Sequence, residues 1–298
     1  MNIIKDIKNL HVGKVIENPL IKDYTTYKVG GKAICIVIPE DENCLIDLLM
    51  YLRDNNIKHM ILGNGSNVIF NDSGYNGVII KLDNFNNLKI IGNKIIVGAG
   101  YMLNKLALRV SRLGFTGMEF ATGIPGTVGG AVYMNAGAYK TDMGYIVTNV
   151  KVLTPDYEIK VLKNKDLDFH YRTSFLQKNK DYICLEATIT LIKGNAEEIM
   201  ELINERKKRR VETQPLEYPS AGSVFRNPEG DFAGRIIEEI GYKGKSIGGA
   251  QVSEKHANFI INTGSATGED VKKLINEIKD KVKDKYNIEL KVEQEFVE

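Results

Sequence analysis

The sequence predicts a fold of mixed helices and strands in two or three domains. Short apolar runs of strand length are interleaved with segments whose apolar residues recur at helical spacing. The chain has 298 residues, enough to bury more than one core. The glycine templates of doubly wound nucleotide-binding sheets fail. Gly63-x-Gly65 is followed by Val68 where a third glycine is required, and Gly98-x-Gly100 is followed by Leu103. Gly244-Lys245-Ser246 ends like a phosphate-binding loop, but Glu239 holds its first glycine position.

The elements follow in order. Gly30-Gly31 marks a turn, and the apolar run 33–38, stopped by Pro39, reads as a strand. Leu45, Leu48, Leu49 and Leu52 share one face of a helix beginning after Asp41. A strand near 59–62 enters Gly63-Asn64-Gly65-Ser66-Asn67, a loop rich in small residues and donors, and a second apolar run follows. Strands are expected over 77–82 and 94–97, then a helix carrying Leu103, Leu106, Ala107, Val110 and Leu113, closed by Gly114. Further strands are expected at 147–154, 159–162 and 183–192, around a turn at Pro155-Asp156. The last third predicts helices over 196–210, about 231–240 and through Val271, Leu274, Ile275, Ile278 and Val282. Thr267-x-x-Asp270 forms a capping-box signal before the last of these. A final strand is expected at 288–292.

Residues 117–140, GMEFATGIPGTVGGAVYMNAGAYK, are the densest glycine run. Glu119 is the only charged side chain before Lys140. Glycine permits positive φ and close approach to the backbone. Such a run either lays main-chain N–H groups against a large anion, above all a pyrophosphate, or packs as a tight turn between buried strands.

Composition excludes several classes. A net charge of +2 offers no electrostatic footprint for nucleic acid or an anionic membrane. The basic run 206–210 continues a helical face and reads as a solvated helix end. Cys35, Cys44 and Cys184 form no CxxC pair and read as reduced thiols of a cytosolic protein. The four histidines are scattered, so no metal site is expected. The opening MNIIKDIKNL has no long apolar segment and no run reaches membrane-spanning length, so neither a signal peptide nor a membrane anchor is expected.

Taken together, TTYKVGG, LGNGSNVIF, GMEFATGIPGTVGGAVYMNAGAY, HYRTSF, AGSVFRNP, GGAQVSEKHANFIIN and the terminal L-x-x-E resemble the UDP-N-acetylenolpyruvoylglucosamine reductase family, in its order and over nearly the whole chain. The resemblance implies a vanillyl-alcohol-oxidase/p-cresol-methylhydroxylase-type FAD-binding fold of two subdomains, 1–80 and 81–193. A C-terminal α+β substrate-binding domain, 194–298, would follow, with the segment from about 286 returning to the active site. It implies non-covalent FAD held by Tyr27, by Gly63, Asn64, Gly65, Ser66 and Asn67, and by Thr122, Gly123, Ile124, Pro125, Gly126, Thr127, Gly129, Gly130 and Ala131. Only residues 193–195 separate the strand ending near Ile192 from the next helix, which is similar to family members lacking an inserted tyrosine-bearing loop.

The same resemblance implies NADPH as hydride donor, UDP-N-acetylglucosamine enolpyruvate as substrate, a cytoplasmic monomer, and Arg172, Ser223 and Glu293 as catalytic residues. Taken singly, Arg172 is an ordinary loop arginine, Ser223 a Gly-Ser turn and Glu293 a residue at a strand end. Strand alternation puts Glu293 and Glu295 on the same face, and only the family register favours the former. Hydride addition to an enolpyruvyl group leaves enolate character, which calls for a fixed guanidinium, a second donor such as a protonated glutamic acid, and a proton source. Resemblance gives the last role to Ser223, with reprotonation from solvent. Asn227, Lys243 and Lys245 are candidates for the UDP diphosphate, or else polar loop residues. An oxidase of the same fold would not need to protonate a carbanion, and a non-enzymatic nucleotide-sugar binder would not take up FAD.

Overall fold

The strand Ala33–Pro39 carries no exposed residue on either face, so it sits inside a sheet. It pairs antiparallel with Gly13–Glu17, in register from Gly13 opposite Pro39 to Glu17 opposite Cys35. Its other neighbour is Tyr75–Ile80, which pairs in parallel with His59–Ile61. The computed structural model describes residues 2–297. Helix Glu42–Asp54 buries Leu45, Leu48, Leu49 and Leu52, as its periodicity predicts, and the Asp41 side chain caps it by accepting from Cys44 N at 2.9 Å.

A second sheet is wholly antiparallel, in the order Ile159–Lys163, Val147–Leu153, Ile183–Thr190, Lys94–Gly98, Leu88–Ile91. The short helix Val128–Tyr133 packs on its central strand, Ile183–Thr190. Helix Leu103–Arg112 buries Leu103, Leu106, Ala107 and Val110 and packs on the 3-10 turn Glu119–Ala121, so it backs the glycine-rich stretch. The connection after Ile192–Lys193 consists of Gly194 and Asn195 before helix Ala196–Thr213 begins.

The C-terminal part builds a three-stranded antiparallel sheet, Ser246–Ile247, Ala250–Val252 and Ile260–Asn262, against helix Gly268–Tyr286. The Thr267–Asp270 capping box forms as expected. The N–H groups of Gly268 and Glu269 also donate to the Asp72 carboxylate, at 3.0 and 3.2 Å, placing an anion at the helix N-terminus. A continuous apolar core gathers Tyr27, Val29, Ile69, Phe225, Ile236, Leu274, Ile278 and Leu290.

The chain groups into two compact units, each assembled from separated segments. One comprises the chain up to Glu17 with Cys35–Asn64 and Gly77–Lys207; the other comprises Asn18–Ile34, Gly65–Asn76 and the chain from Lys208 onward. These units follow other lines than divisions at residues 80 and 193. The expected strand at 288–292 is not formed. Val292 makes an isolated antiparallel bridge to Phe225, and the terminal strand is Glu295–Val297, parallel to Val68–Phe70. Alternation in Ile288-Glu289-Leu290-Lys291-Val292 records which side chains face inward, whereas a strand needs an edge to pair with along its length, and that edge begins three residues after Val292.

Candidate active site

The glycine-rich stretch is laid along the start of helix Leu103–Arg112 as a bridged pair of segments. Leu103 N donates to Gly126 O at 2.9 Å, Val128 N to Tyr101 O at 2.9 Å and Gly129 N to Ala99 O at 2.8 Å. The loop Gly63-Asn64 joins it in the same unit, where Asn64 Nδ2 donates to Pro125 O at 2.6 Å. A Cβ at Gly63 would lie 2.7 Å from Thr127 Oγ1, so glycine is what allows the two loops to meet. Thr127 caps helix Val128–Tyr133, its hydroxyl accepting from Gly130 N at 3.3 Å. Glu119 is engaged by its own loop. Its buried carboxylate accepts from Thr116 Oγ1 at 2.5 Å and Gly117 N at 2.9 Å, holding the entry to the stretch.

Among the described residues, the backbone N–H groups of Asn64, Gly123, Gly126 and Thr127 have no protein acceptor. The second unit repeats the pattern at Gly65 and Ser66, whose N–H groups likewise lack one. There Thr26 N donates to Gly65 O at 3.1 Å, and Asn67 Nδ2 donates to Glu293 O at 3.1 Å. Tyr27 is fully buried in that unit's core. Its carbonyl accepts from Asn262 Nδ2 at 3.0 Å, its hydroxyl has no protein partner, and burial pushes the phenol pKa upward. Within the first unit, loops of small residues with unsatisfied main-chain donors fit the pyrophosphate of a dinucleotide cofactor held on backbone amides.

Ser223 and Glu293 are brought together by backbone pairing in the second unit. Val224 N donates to Asn258 O at 2.9 Å, and Glu293 N donates to Val224 O at 2.8 Å, so the Ser223–Phe225 segment is held from both sides. Asn258 is nine-tenths buried or more; its side chain accepts from Phe225 N at 2.9 Å and donates to Phe225 O at 2.8 Å. Glu295 lies elsewhere: it opens the strand paired with Val68, and its N–H donates to Asn67 O at 2.9 Å. Two residues that sequence reasoning passed over flank this segment with orphaned buried atoms, Arg226 through Nε and Gln294 through Oε1. Gln294 was hidden because it lies between two glutamates and on the opposite face of the chain.

Arg172 belongs to the first unit. It occupies a tight turn between His170 and Thr173, at φ 55°, and its Nη2 donates to Gly137 O at 2.9 Å. The remaining candidates have local partners. Asn227 is exposed, and its side chain accepts from Ala233 N at 3.1 Å, capping the next helix; Lys243 pairs with Glu238 at 2.8 Å, and Lys245 lies 4.8 Å from the Tyr242 ring centroid.

His256, beside Asn258, gives a pH test of this region. Burial lowers its pKa below the ordinary range; Lys243 adds to the depression and Glu238 opposes it. Its Nδ1 accepts from Asn258 N at 3.2 Å, as a neutral ring can. In the unfolded chain the imidazole titrates near pH ~6.5, so between the folded value and that pH the unfolded state holds more protons. This contribution to stability is complete above pH ~6.5 and is lost as pH falls. Acidification is therefore expected to lower the thermal midpoint of the native chain more steeply than that of His256→Gln. Parallel curves for the two proteins would contradict it.

Comparison with known proteins places the geometry among relatives. Residues 214–297 match the C-terminal domain of UDP-N-acetylenolpyruvoylglucosamine reductase, and residues 33–163 match an FAD binding domain. The UDP-N-acetylenolpyruvoylglucosamine reductase of Halalkalibacterium halodurans is 44% identical over 296 residues, covering 99% of this chain and 98% of that protein. The enzyme of that name from Caldanaerobacter subterraneus is 47% identical over 288 residues, covering 97% and 95%. The crystal structure of UDP-N-acetylenolpyruvylglucosamine reductase from Thermus caldophilus aligns with a TM-score of 0.82 at 34% identity, over 96% of this chain and 98% of that one. A glucose dehydrogenase, Phl p 4.0202, aligns with a TM-score of 0.50 at 11% identity over 64% of this chain and 44% of its own, a likeness of fold alone. The architecture is thus the expected vanillyl-alcohol-oxidase-type FAD-binding fold with a further α+β domain at its C-terminal end.

Proposed function

This chain belongs to the UDP-N-acetylenolpyruvoylglucosamine reductase family, and from that premise we propose that it reduces UDP-N-acetylglucosamine enolpyruvate with NADPH to UDP-N-acetylmuramate, a step of peptidoglycan precursor synthesis. The observation that carries the reading is identity of 44% to such a reductase over 99% of the chain, with both loops of unsatisfied amides in place. FAD would be held by residues 63–67, by the loop 122–131 and by Tyr27, and when bound it supplies the two-electron relay between NADPH and the enolpyruvyl double bond.

The chain's own residues then govern charge and protons on the substrate. Arg172 offers a permanent cation of fork geometry to the substrate carboxylate as negative charge develops there. Ser223 delivers the proton to the carbon beside that carboxylate and recovers it from solvent. Glu293 acts as a second donor in its protonated form. Asn227, Lys243 and Lys245 would contact the diphosphate, the lysines by exchanging Glu238 and the Tyr242 ring for it. The partition into two FAD-binding subdomains, 1–80 and 81–193, and a substrate domain, 194–298, belongs to the same reading. So do a cytoplasmic location, a monomeric state and roles in cell shape and division. Among the described residues no helix is long and apolar enough to cross a membrane.

The reading is tested by mixing the purified yellow protein with NADPH and UDP-N-acetylglucosamine enolpyruvate. The enolpyruvate is expected to accelerate NADPH consumption and yield UDP-N-acetylmuramate. A colourless protein that takes up no FAD, or NADPH consumption indifferent to the enolpyruvate, refutes it.

A further inference from the structure

The turn that carries Arg172 is tied at three successive points to the end of the glycine-rich stretch. Ser174 Oγ donates to Tyr133 O at 2.6 Å, Asn135 Nδ2 donates to His170 O at 2.8 Å, and Arg172 Nη2 donates to Gly137 O at 2.9 Å. Between these ties the turn closes on itself, with His170 N and Thr173 N each donating to the other residue's carbonyl at 3.0 Å. Arg172 is held at φ 55°, a conformation that strains a non-glycine residue and persists only where the surroundings impose it. The central tie is the most enclosed. Asn135 is 1% exposed, and its Oδ1 accepts from Gly144 N at 2.9 Å, so both ends of its amide are used and its flip state is set. Asn135 itself sits at φ 43°, which asparagine tolerates better than most residues.

We propose that Asn135 is the positioning residue of Arg172: by binding the His170 carbonyl it sets the turn whose guanidinium meets the substrate carboxylate. The glycine-rich stretch then serves two tasks in sequence, small residues first and a buried amide after them. The proposal rests on the role given above to Arg172, and its test separates the two.

Asn135→Asp keeps the acceptor for Gly144 N but sets a carboxylate oxygen against the His170 carbonyl. Protonation restores a donor there, and burial raises the pKa at which it occurs. In FAD-loaded protein, reoxidation of the flavin by enolpyruvate at about pH 8 should then fall on the order of ten- to a hundredfold more than its reduction by NADPH. The deficit should shrink as pH is lowered toward about 6, after subtraction of the wild-type profile. The charged groups near the turn, Arg172, Asp142, Asp168, His170 and Lys178, are common to all the proteins. Asn135→Gly, which keeps the positive φ and deletes both hydrogen bonds, should be slow at both pH values. Single-turnover rates of the flavin-containing fraction keep misfolded protein out of the comparison. A deficit in Asn135→Asp that does not change with pH, or equal effects on the two half-reactions, overturns the proposal.

Amide exchange at His170 and Thr173 in the substrate-free protein gives a reading independent of catalysis. It should quicken in Asn135→Gly, and unchanged exchange also overturns the proposal. Normal reoxidation in Arg172→Ala, with quickened exchange in Asn135→Gly, would instead remove Arg172 from the chemistry and leave the tie standing.

Discussion

Ser223→Ala is expected to leave reduction of bound FAD by NADPH intact and to slow its reoxidation by enolpyruvate by about 10²–10⁴-fold, the range for loss of a general acid. The substitution removes one oxygen and little else. The backbone around it is fixed independently, by Val224 N on Asn258 O, by the Asn258 side chain on both sides of Phe225, and by Glu293 N on Val224 O. A shifted backbone is therefore not available as an explanation for a loss of rate. Rapid-mixing measurement of the two half-reactions decides it: a normal second half-reaction takes Ser223 out of the mechanism.

Gly65→Ala is expected to cost stability on the order of 2–5 kcal/mol, with a fall in thermal midpoint of roughly 5–15 °C and loss of flavin retention. Gly65 has φ 64°, and a Cβ there would lie 2.3 Å from Tyr24 O and 2.8 Å from Thr25 Cα. Both obstacles are backbone, so neither can rotate away. Gly92→Ala is the control, since Gly92 has φ 59° but a Cβ there would meet nothing within 4 Å. It isolates the conformational penalty, about 1 kcal/mol. If calorimetry finds Gly65→Ala no worse than Gly92→Ala, close approach of the Tyr24 segment is not what requires glycine.

Much of the local structure was legible because it depends on local periods. The leucines of helix Glu42–Asp54, four of the five apolar residues expected on the face of helix Leu103–Arg112 and the Thr267–Asp270 cap form where spacing and cap chemistry place them, whereas Leu113 falls at the helix C-cap and is exposed. The terminal strand was misplaced because alternation reports inward-facing residues and not the presence of a pairing edge. Asn135 and Asn258 escaped notice for a related reason. An asparagine in a sequence reads as a turn residue, and its worth as a buried clamp depends on which distant carbonyls it meets. His170 lies thirty-five residues from Asn135, and Phe225 thirty-three from Asn258.

By itself the sequence determined the family, the α+β composition and the glycine loops, since these rest on motif order, local period and the backbone freedom of particular glycines. Tertiary structure alone decided that Gly63 abuts Thr127, that Glu293 and not Glu295 pairs beside Ser223, and that Asn135 holds the Arg172 turn. The physical reason is common to all three. A contact between residues far apart in the chain has no period, and its partner is chosen by packing that no local window contains.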